Sequence, residues 1–578
     1  MMKQLWGYAR SQRGWIAAGV VCSAAEAVFE LLIPLVMASI VDVGIQNGDQ
    51  SHIVKMGLLM IGMALVSLCF GLGGAVCSSV AGQGFGAALR GGVYDHIQGY
   101  AFSNIEKFTT ASLVTRLTSD VNTLQMTLLM GMRFLVRSPV MLLAALVLAL
   151  RISRQLSRVF LFAIPLLLLA AVLLLSRASP LFRALQEKTD ALNLAVQESL
   201  FGIRVVKSFA REDHEQEKFQ QRNEALRRTS ERAFGLVVLN LPIMMLIVYG
   251  TIIAVMWFGG KMVYAGTLPV GDLTAFFTYI TQILMSLMMV SMIFMMLTRA
   301  LACARRVVEL LDETPAIQDD GDTDPDAVVP DGRVEFRDVS FRYGAGMPWV
   351  LQNLNLTIPS GAVVGILGGT GSGKTSLVSL IPRLYQAERG TVLVGGRPVE
   401  DYPLDALRGA VSMVLQQNTL FSGTIRENLL WGNPHAAEEE LWAACRAACA
   451  EEFLSALPKG LDTDLGQGGV NVSGGQKQRL CIARAILKQP KVLILDDSTS
   501  AVDMDTDAKI RRALRDELQS TTKIVIAQRV RSVMEADLIL VLEEGRLVAQ
   551  GDHETLLETC DVYREIYASQ QEGGSLRE

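Results

Sequence analysis

"GILGGTGSGKTS", residues 365–376, follows the strand-like "AVVG" and precedes an apolar helical run. Gly368, Gly373, Lys374 and Thr375 meet the pattern G-x-x-x-x-G-K-[ST]. In such a loop glycines let backbone N–H groups turn inward onto phosphate oxygens. The lysine supplies positive charge, and the threonine offers a hydroxyl to Mg²⁺. Strand before and helix after place the loop in an α/β domain that takes a nucleoside triphosphate.

Two further stretches belong with it. In "NVSGGQKQRLCIARAIL", 471–487, Ser473, Gly474, Gly475 and Gln476 open an amphipathic helix, whose first N–H groups form a second anion site. Just downstream, "KVLILDD" reads as a buried strand that delivers Asp496 beside the phosphate loop, with a second carboxylate, Asp497, directly after it.

Outward from this domain the chain changes character. Of 578 residues, 50% are hydrophobic and 19% charged, and mean hydropathy is positive, at +0.33. That balance points to a membrane fraction, and the length exceeds a single core. Net charge is −5 with no basic tail, which argues against a nucleic-acid partner. Six apolar stretches lie near 15–41, 55–80, 130–150, 157–177, 234–259 and 272–297, each near or above the roughly 20 residues a helix needs to cross a bilayer. Polar helical segments separate the second from the third and the fourth from the fifth, so both termini fall on one side. Arg90, Lys107, Arg116, Lys188, Arg204, Lys207 and Arg211 mark that side as cytoplasmic. Arg151, Arg154 and Arg158 stand against the rule, in a short loop this topology puts outside.

The expected organisation is a six-span all-α transmembrane domain over 1–300, an acidic Pro/Gly-containing linker over 301–330, and an α/β domain with a phosphate loop over 331–578. The N-terminus, "MMKQLWGYARSQRGW", has no cleavable-signal pattern. Cys445 and Cys449 share a helix face, but without further ligands they read as packing rather than a metal site.

In this order the motifs resemble those of the ATP-binding cassette (ABC) transporters, specifically exporter-type half-transporters with six helices followed by one cassette. The resemblance covers nearly the whole chain. It implies that Tyr343 in "FRYG" stacks on adenine, and that Gly369, Thr370, Gly371, Ser372, Gly373, Lys374, Thr375 and Ser376 hold ATP. Gln416 in "VLQQNTLFSGTIREN" reaches Mg²⁺, which Thr375 and Asp496 also hold. Ser473 to Gln476 become the signature that completes a site on a partner cassette, and Asp503, closing "SAVD", communicates between sites. "NIEKFTTASLVTRLTSDV" and "QESLFGIRVVKSFAREDHE" match the loops whose short helices dock onto the cassettes.

The departures are local. Rapid hydrolysers of the family carry glutamate where this chain has Asp497, and histidine where it has Gln528 in "IVIAQRV". Aspartate is one methylene shorter, a deficit of about 1–1.5 Å, and glutamine can neither become cationic nor shuttle a proton. Gln467 also replaces a usual glutamate. The expectation is one half of a heterodimeric exporter: ATP and Mg²⁺ bind, hydrolysis at its own site is impaired, and the intact signature serves a non-identical partner. A slow homodimer, a gating regulator and an importer on the same scaffold are the alternatives. The expected setting is the bacterial inner membrane, with the cassette cytoplasmic and lipid or amphipathic molecules as cargo.

Two features in the spans bear on cargo. Glu26 and Glu30 sit one turn apart, either as a cation-attracting cavity wall or as a structural pair. Met285, Met288, Met289, Met292, Met295 and Met296 in the sixth span are either an adaptable surface or apolar filler.

Overall fold

The computed structural model describes residues 1–319, 324–498 and 502–575; Ser500 and Ala501 of "SAVD", and the side chains of Met292 and Met295, lie outside the described set. The chain divides into two units, Met1–Ile97 with Ala111–Asp312, and Gln98–Thr110 with Glu313–Glu578.

In the first unit six helices, counted among the described residues, are long and apolar enough to cross a membrane. A helix satisfies its backbone polar groups internally, the condition for crossing lipid. Helices α1 (Arg13–Ser39), α2 (Val121–Ile152) and α3 (Val270–Asp312) contain the first, third and sixth spans. They share an apolar core that includes Leu31, Ala145, Phe276, Tyr279 and Ile283. The fully buried Tyr279 donates its hydroxyl to the Leu31 carbonyl at 2.7 Å. Arg151 falls in the last turn of α2, where the negative end of the helix dipole favours a cation. That gives at least one of the three outside arginines a local reason.

Two details revise the sequence reading. The stretch expected as linker from 301 begins as helix, since α3 runs on to Asp312. Its end is held by Arg306, which grips Asp120 through two nitrogens at 2.5 and 2.7 Å, and by Glu309, 3.1 Å from Arg116. Glu26 and Glu30 are bridged by one guanidinium: Arg137 of α2 reaches Glu26 Oε1 at 2.6 Å and Glu30 Oε2 at 2.5 Å. Charges inside a bilayer are held by pairing, which supports the structural reading of this acid pair, while Glu30 also lines a cavity of the same unit.

The second unit contains two sheets. β1 (Val334–Phe341), β2 (Leu351–Ile358), β4 (Arg389–Val394) and β5 (Arg397–Pro398) form an antiparallel sheet in the order β2-β1-β4-β5. The larger sheet runs β10-β9-β3-β8-β7-β6. Its members are β3 (Val363–Gly368), β6 (Val411–Val414), β7 (Val492–Asp496), β8 (Thr522–Ile526), β9 (Leu538–Glu543) and β10 (Arg546–Gly551). All pairings in it are parallel except β10 with β9. β7 and β8 are buried throughout, as near-continuous apolar runs covered on both faces should be. Ile526 is level with Ile366 on one side and with Asp496 on the other. The phosphate loop, the two aspartates and Gln528 therefore leave the same sheet edge together, at the carboxyl ends of the strands where such folds bind ligands. Cys445 is fully buried in the core of this unit, and burial pushes its thiol up to about 12.

The short helix Phe102–Phe108, from the first cytoplasmic loop, belongs to the second unit. Tyr385 donates its hydroxyl to Glu106 at 2.7 Å, Asn104 bonds Glu313 at 3.1 Å and the Thr314 carbonyl at 3.0 Å, and Lys107 pairs with Glu313 at 2.6 Å. The matching helix of the second loop, Ile203–Ser208, buries none of its residues. Phe201, Val205 and Phe209 around it are 84, 60 and 73% exposed.

Candidate functional site

The loop between β3 and the helix α4 (Lys374–Ser379) is shaped by glycines that no other residue replaces easily. Gly373 has φ +92°, and a Cβ there would come within 2.7 Å of the Leu351 side chain. A left-handed backbone with no room for a side chain keeps the N–H groups at the helix entry free to face an anion. Lys374 folds back over the loop, its Nζ donating to the carbonyls of Gly368 at 2.9 Å and Gly369 at 2.7 Å. Burial holds this amine below its ordinary range, against the pull of Asp496 and Asp497.

Asp496 is 2% exposed at the end of β7, and accepts from Thr375 Oγ1 at 3.2 Å through one oxygen. Its other oxygen, Oδ2, is buried with no hydrogen-bond donor. An orphaned carboxylate oxygen beside a threonine hydroxyl fits a hard divalent cation. Thr375 and Asp496 are thus suited to hold Mg²⁺. Gln416, expected to join them, is exposed just beyond β6. Burial pushes the Asp496 carboxyl above the usual carboxylate range, with the Thr375 hydrogen bond opposing.

Tyr343 lies beside the loop, its hydroxyl 2.8 Å from Ser376 Oγ and its ring edge-on to Tyr385 at 5.1 Å. The residue is 41% exposed, and a flat base can stack there. Gly369, Thr370, Gly371 and Ser372 complete the loop between Gly368 and Gly373.

At the departure from the family pattern, Gln528 Nε2 donates to Asp497 Oδ2 at 2.7 Å. The two altered residues hold each other. Asp497 sits at φ +47°, a left-handed conformation that aspartate tolerates better than most, and burial raises its carboxyl above the ordinary range. The segment after β8 is fixed from a second direction. Gln570, in the C-terminal helix Asp561–Ser575, donates to the Gln528 carbonyl at 2.8 Å and accepts from the Val530 N–H at 2.9 Å. No local pattern marks Gln570 in the sequence.

Ser473 caps the helix α5 (Gly474–Leu487) in a reciprocal box: Gln476 N donates to Ser473 Oγ at 3.4 Å, and Ser473 N donates to Gln476 Oε1 at 2.8 Å. Ser473 and Gly474 are exposed, Gly475 and Gln476 half-buried. This end of α5 faces outward, available to a ligand held elsewhere. Asp503 caps a third helix, Met504–Glu517, by accepting from the Thr506 N–H at 2.9 Å, and that bond lowers its carboxyl below the usual range.

Comparison with known proteins matches both units. Residues 16–287 fit the family model of the ABC transporter transmembrane region, and residues 351–500 that of the ABC transporter. The chain is 37% identical over 548 residues, covering 94% of each chain, to the uncharacterized ABC transporter ATP-binding protein YfiB of Bacillus subtilis. It is 31% identical over 582 residues to an ATP-dependent lipid A-core flippase of Syntrophus aciditrophicus, covering 99% of this chain and 94% of the other. Its fold matches the structure of a bacterial Atm1-family ABC exporter with ATP bound, with TM-score 0.80 and 25% identity over 97% of this chain and 98% of that one.

Proposed function

The chain belongs to the ABC transporter family, and on that premise we propose a division of labour between two subunits of an ATP-driven exporter. This subunit holds ATP and Mg²⁺ at its own phosphate loop and splits the nucleotide slowly. Its signature helix completes a second site, whose glutamate and histidine come from a non-identical partner. The chain is a multi-pass membrane protein with a cytoplasmic cassette, placed by this reading in the bacterial inner membrane.

One observation carries the proposal. Lys374, Thr375 and the orphaned Asp496 oxygen lie around one loop, which supports binding, while the two groups that should act on water are bonded to each other. Misplacement of a reacting group by about 1 Å costs on the order of 10²-fold in rate. Mg²⁺, when bound, neutralises charge on the phosphates. The residues here orient and screen the nucleotide, and Gln528 supplies a hydrogen bond where a proton carrier would stand. Two relatives named lipid A-core flippases, at 36 and 31% identity, support an amphipathic cargo.

ATP turnover, measured on the purified chain alone and mixed with candidate partner subunits, tests the reading. The expected result is little hydrolysis alone and vigorous hydrolysis in one mixture, with intact ATP recovered at this chain's loop. Vigorous turnover by the chain alone would instead support a homodimer. That second reading draws on the raised Asp497 carboxyl, which makes it a better base than an ordinary aspartate. Sealed-vesicle transport separates export from import and from gating.

A further inference from the structure

The transmembrane unit contains a cavity of ≈ 360 Å³ between α1, α2 and α3. Phe134, Met141, Met285 and Met289 give it apolar walls; Glu30, Arg133 and Gln282 are among the polar groups on its lining.

Arg137, which also lines it, is occupied by Glu26 and Glu30. Arg133, one turn earlier on the same face of α2, has no carboxylate partner among the described residues. A charge in a membrane segment is costly and is normally paired. Across the cavity Gln282 Oε1 is buried with no hydrogen-bond donor, and an unsatisfied acceptor of this kind favours any occupant that can donate to it. A cation without a carboxylate partner among the described residues and a lone acceptor thus share a cavity with methionine and phenylalanine walls. The one carboxylate lining it among the described residues, Glu30, is already held by Arg137.

Depth narrows the class further. Arg151 lies in the last turn of α2, at the end that the six-span topology puts outside. At a helical rise of about 1.5 Å per residue, Arg133 lies about 27 Å from it along the helix. That is close to the roughly 30 Å thickness of the hydrocarbon layer. Arg133 therefore falls near the cytoplasmic boundary of the third span, within reach of the headgroups of that leaflet, where anionic groups are phosphodiesters.

The geometry points to a binding site for an anionic phospholipid-like amphipath, with its phosphodiester on Arg133, a neighbouring hydroxyl or amine donating to Gln282, and its chains against Met285 and Met289. The assignment of this ligand as cargo rests on the exporter reading above; the binding itself does not.

Native mass spectrometry of the purified full-length chain in detergent, without nucleotide, measures it. Phosphatidylglycerol supplies both the anion and the donor, phosphatidylmethanol the anion alone, and phosphatidylcholine a zwitterion without a donor. Phosphatidylglycerol should bind at least about 10-fold more tightly than phosphatidylcholine, the scale of a charge-assisted hydrogen bond. Arg133→Ala should abolish that preference and Arg133→Lys should keep most of it. Gln282→Leu should erase an advantage of about 3- to 10-fold over phosphatidylmethanol. Free glycerol 3-phosphate should not compete, because the apolar walls hold the chains. An Arg133→Ala protein that still prefers phosphatidylglycerol, or equal binding of all three lipids, overturns the site; competition by glycerol 3-phosphate overturns the lipid assignment. Because no ATP is present, failure of the division of labour leaves these outcomes unchanged.

Discussion

The cassette presents two helix N-termini suited to anions, and they are built differently. At α4 the entry is made by glycines in left-handed conformations, closed over by Lys374, next to two desolvated carboxylates. At α5 the entry is a regular capping box, exposed and free of neighbouring acids within its own helix. Both unusual residues, Asp497 and Gln528, lie at the first site, yet neither belongs to a helix end: they follow β7 and β8. The groups proposed for nucleotide binding and those proposed for hydrolysis are thus separable pieces of one sheet edge.

The comparison breaks most readily at α5. Ser473→Arg, in the assembled two-subunit pump, should lower ATP turnover by about 10²–10³-fold, the scale for losing preorganised donors at a reacting phosphate. Asp497→Asn in the same pump should change turnover little. The reverse pattern would reassign the work of the two sites. Next in size, Asp497→Glu combined with Gln528→His should raise hydrolysis by the chain alone on the order of 10²-fold, by restoring reach and a proton carrier. No gain would mean that the impairment lies elsewhere.

A third test reads stability against binding. The Asp496 carboxyl titrates above its ordinary value of 3.8 because it is buried. The folded state therefore favours the protonated form. Its contribution to stability is fully present below pH 3.8 and is lost as pH rises through the folded value, so at neutral pH the ionised group is a burden. Asp496→Asn should raise the melting temperature at pH 7 by a few degrees, and remove the gain as the pH approaches 4. The same change should weaken Mg²⁺-dependent ATP binding about 10-fold, read by nucleotide titration with and without the metal. The smallest effect is expected at Tyr385. Tyr385→Phe keeps the ring beside Tyr343 and deletes the hydroxyl bond to Glu106 of the loop helix. Stimulation of ATP turnover by cargo should fall a few-fold, with ATP affinity unchanged.

Much of this was legible because it is local. The spacing of Gly368, Gly373 and Lys374, the apolar run ending at Asp496, and the serine-glycine opening of α5 each carry their geometry within a few residues. The six spans are legible for the same reason, since length and apolarity suffice. What sequence reading missed joins distant positions. Arg137 and Glu26 are far apart in the chain, as are Tyr385 and Glu106, and Gln570 and Gln528. Only packing brings such pairs together. Arg137 carried a usable signal, an arginine inside an apolar stretch that needs a counter-charge. Gln570 carried none, because a glutamine on an exposed helix looks like any other surface residue. The continuation of α3 through the expected linker was hidden for another reason: its charged last turns read as boundary, whereas Arg306 and Glu309 are bound to the chain near Asp120.

The bare second loop helix has a consequence for how the protein is made. Phe201, Val205 and Phe209 form an apolar knuckle on a cytoplasmic loop, left exposed by the described residues of the chain. A copy with that knuckle uncovered would display it to chaperones and proteases, and to other copies of the chain. Covering the knuckle therefore becomes a condition for keeping the protein in the cell.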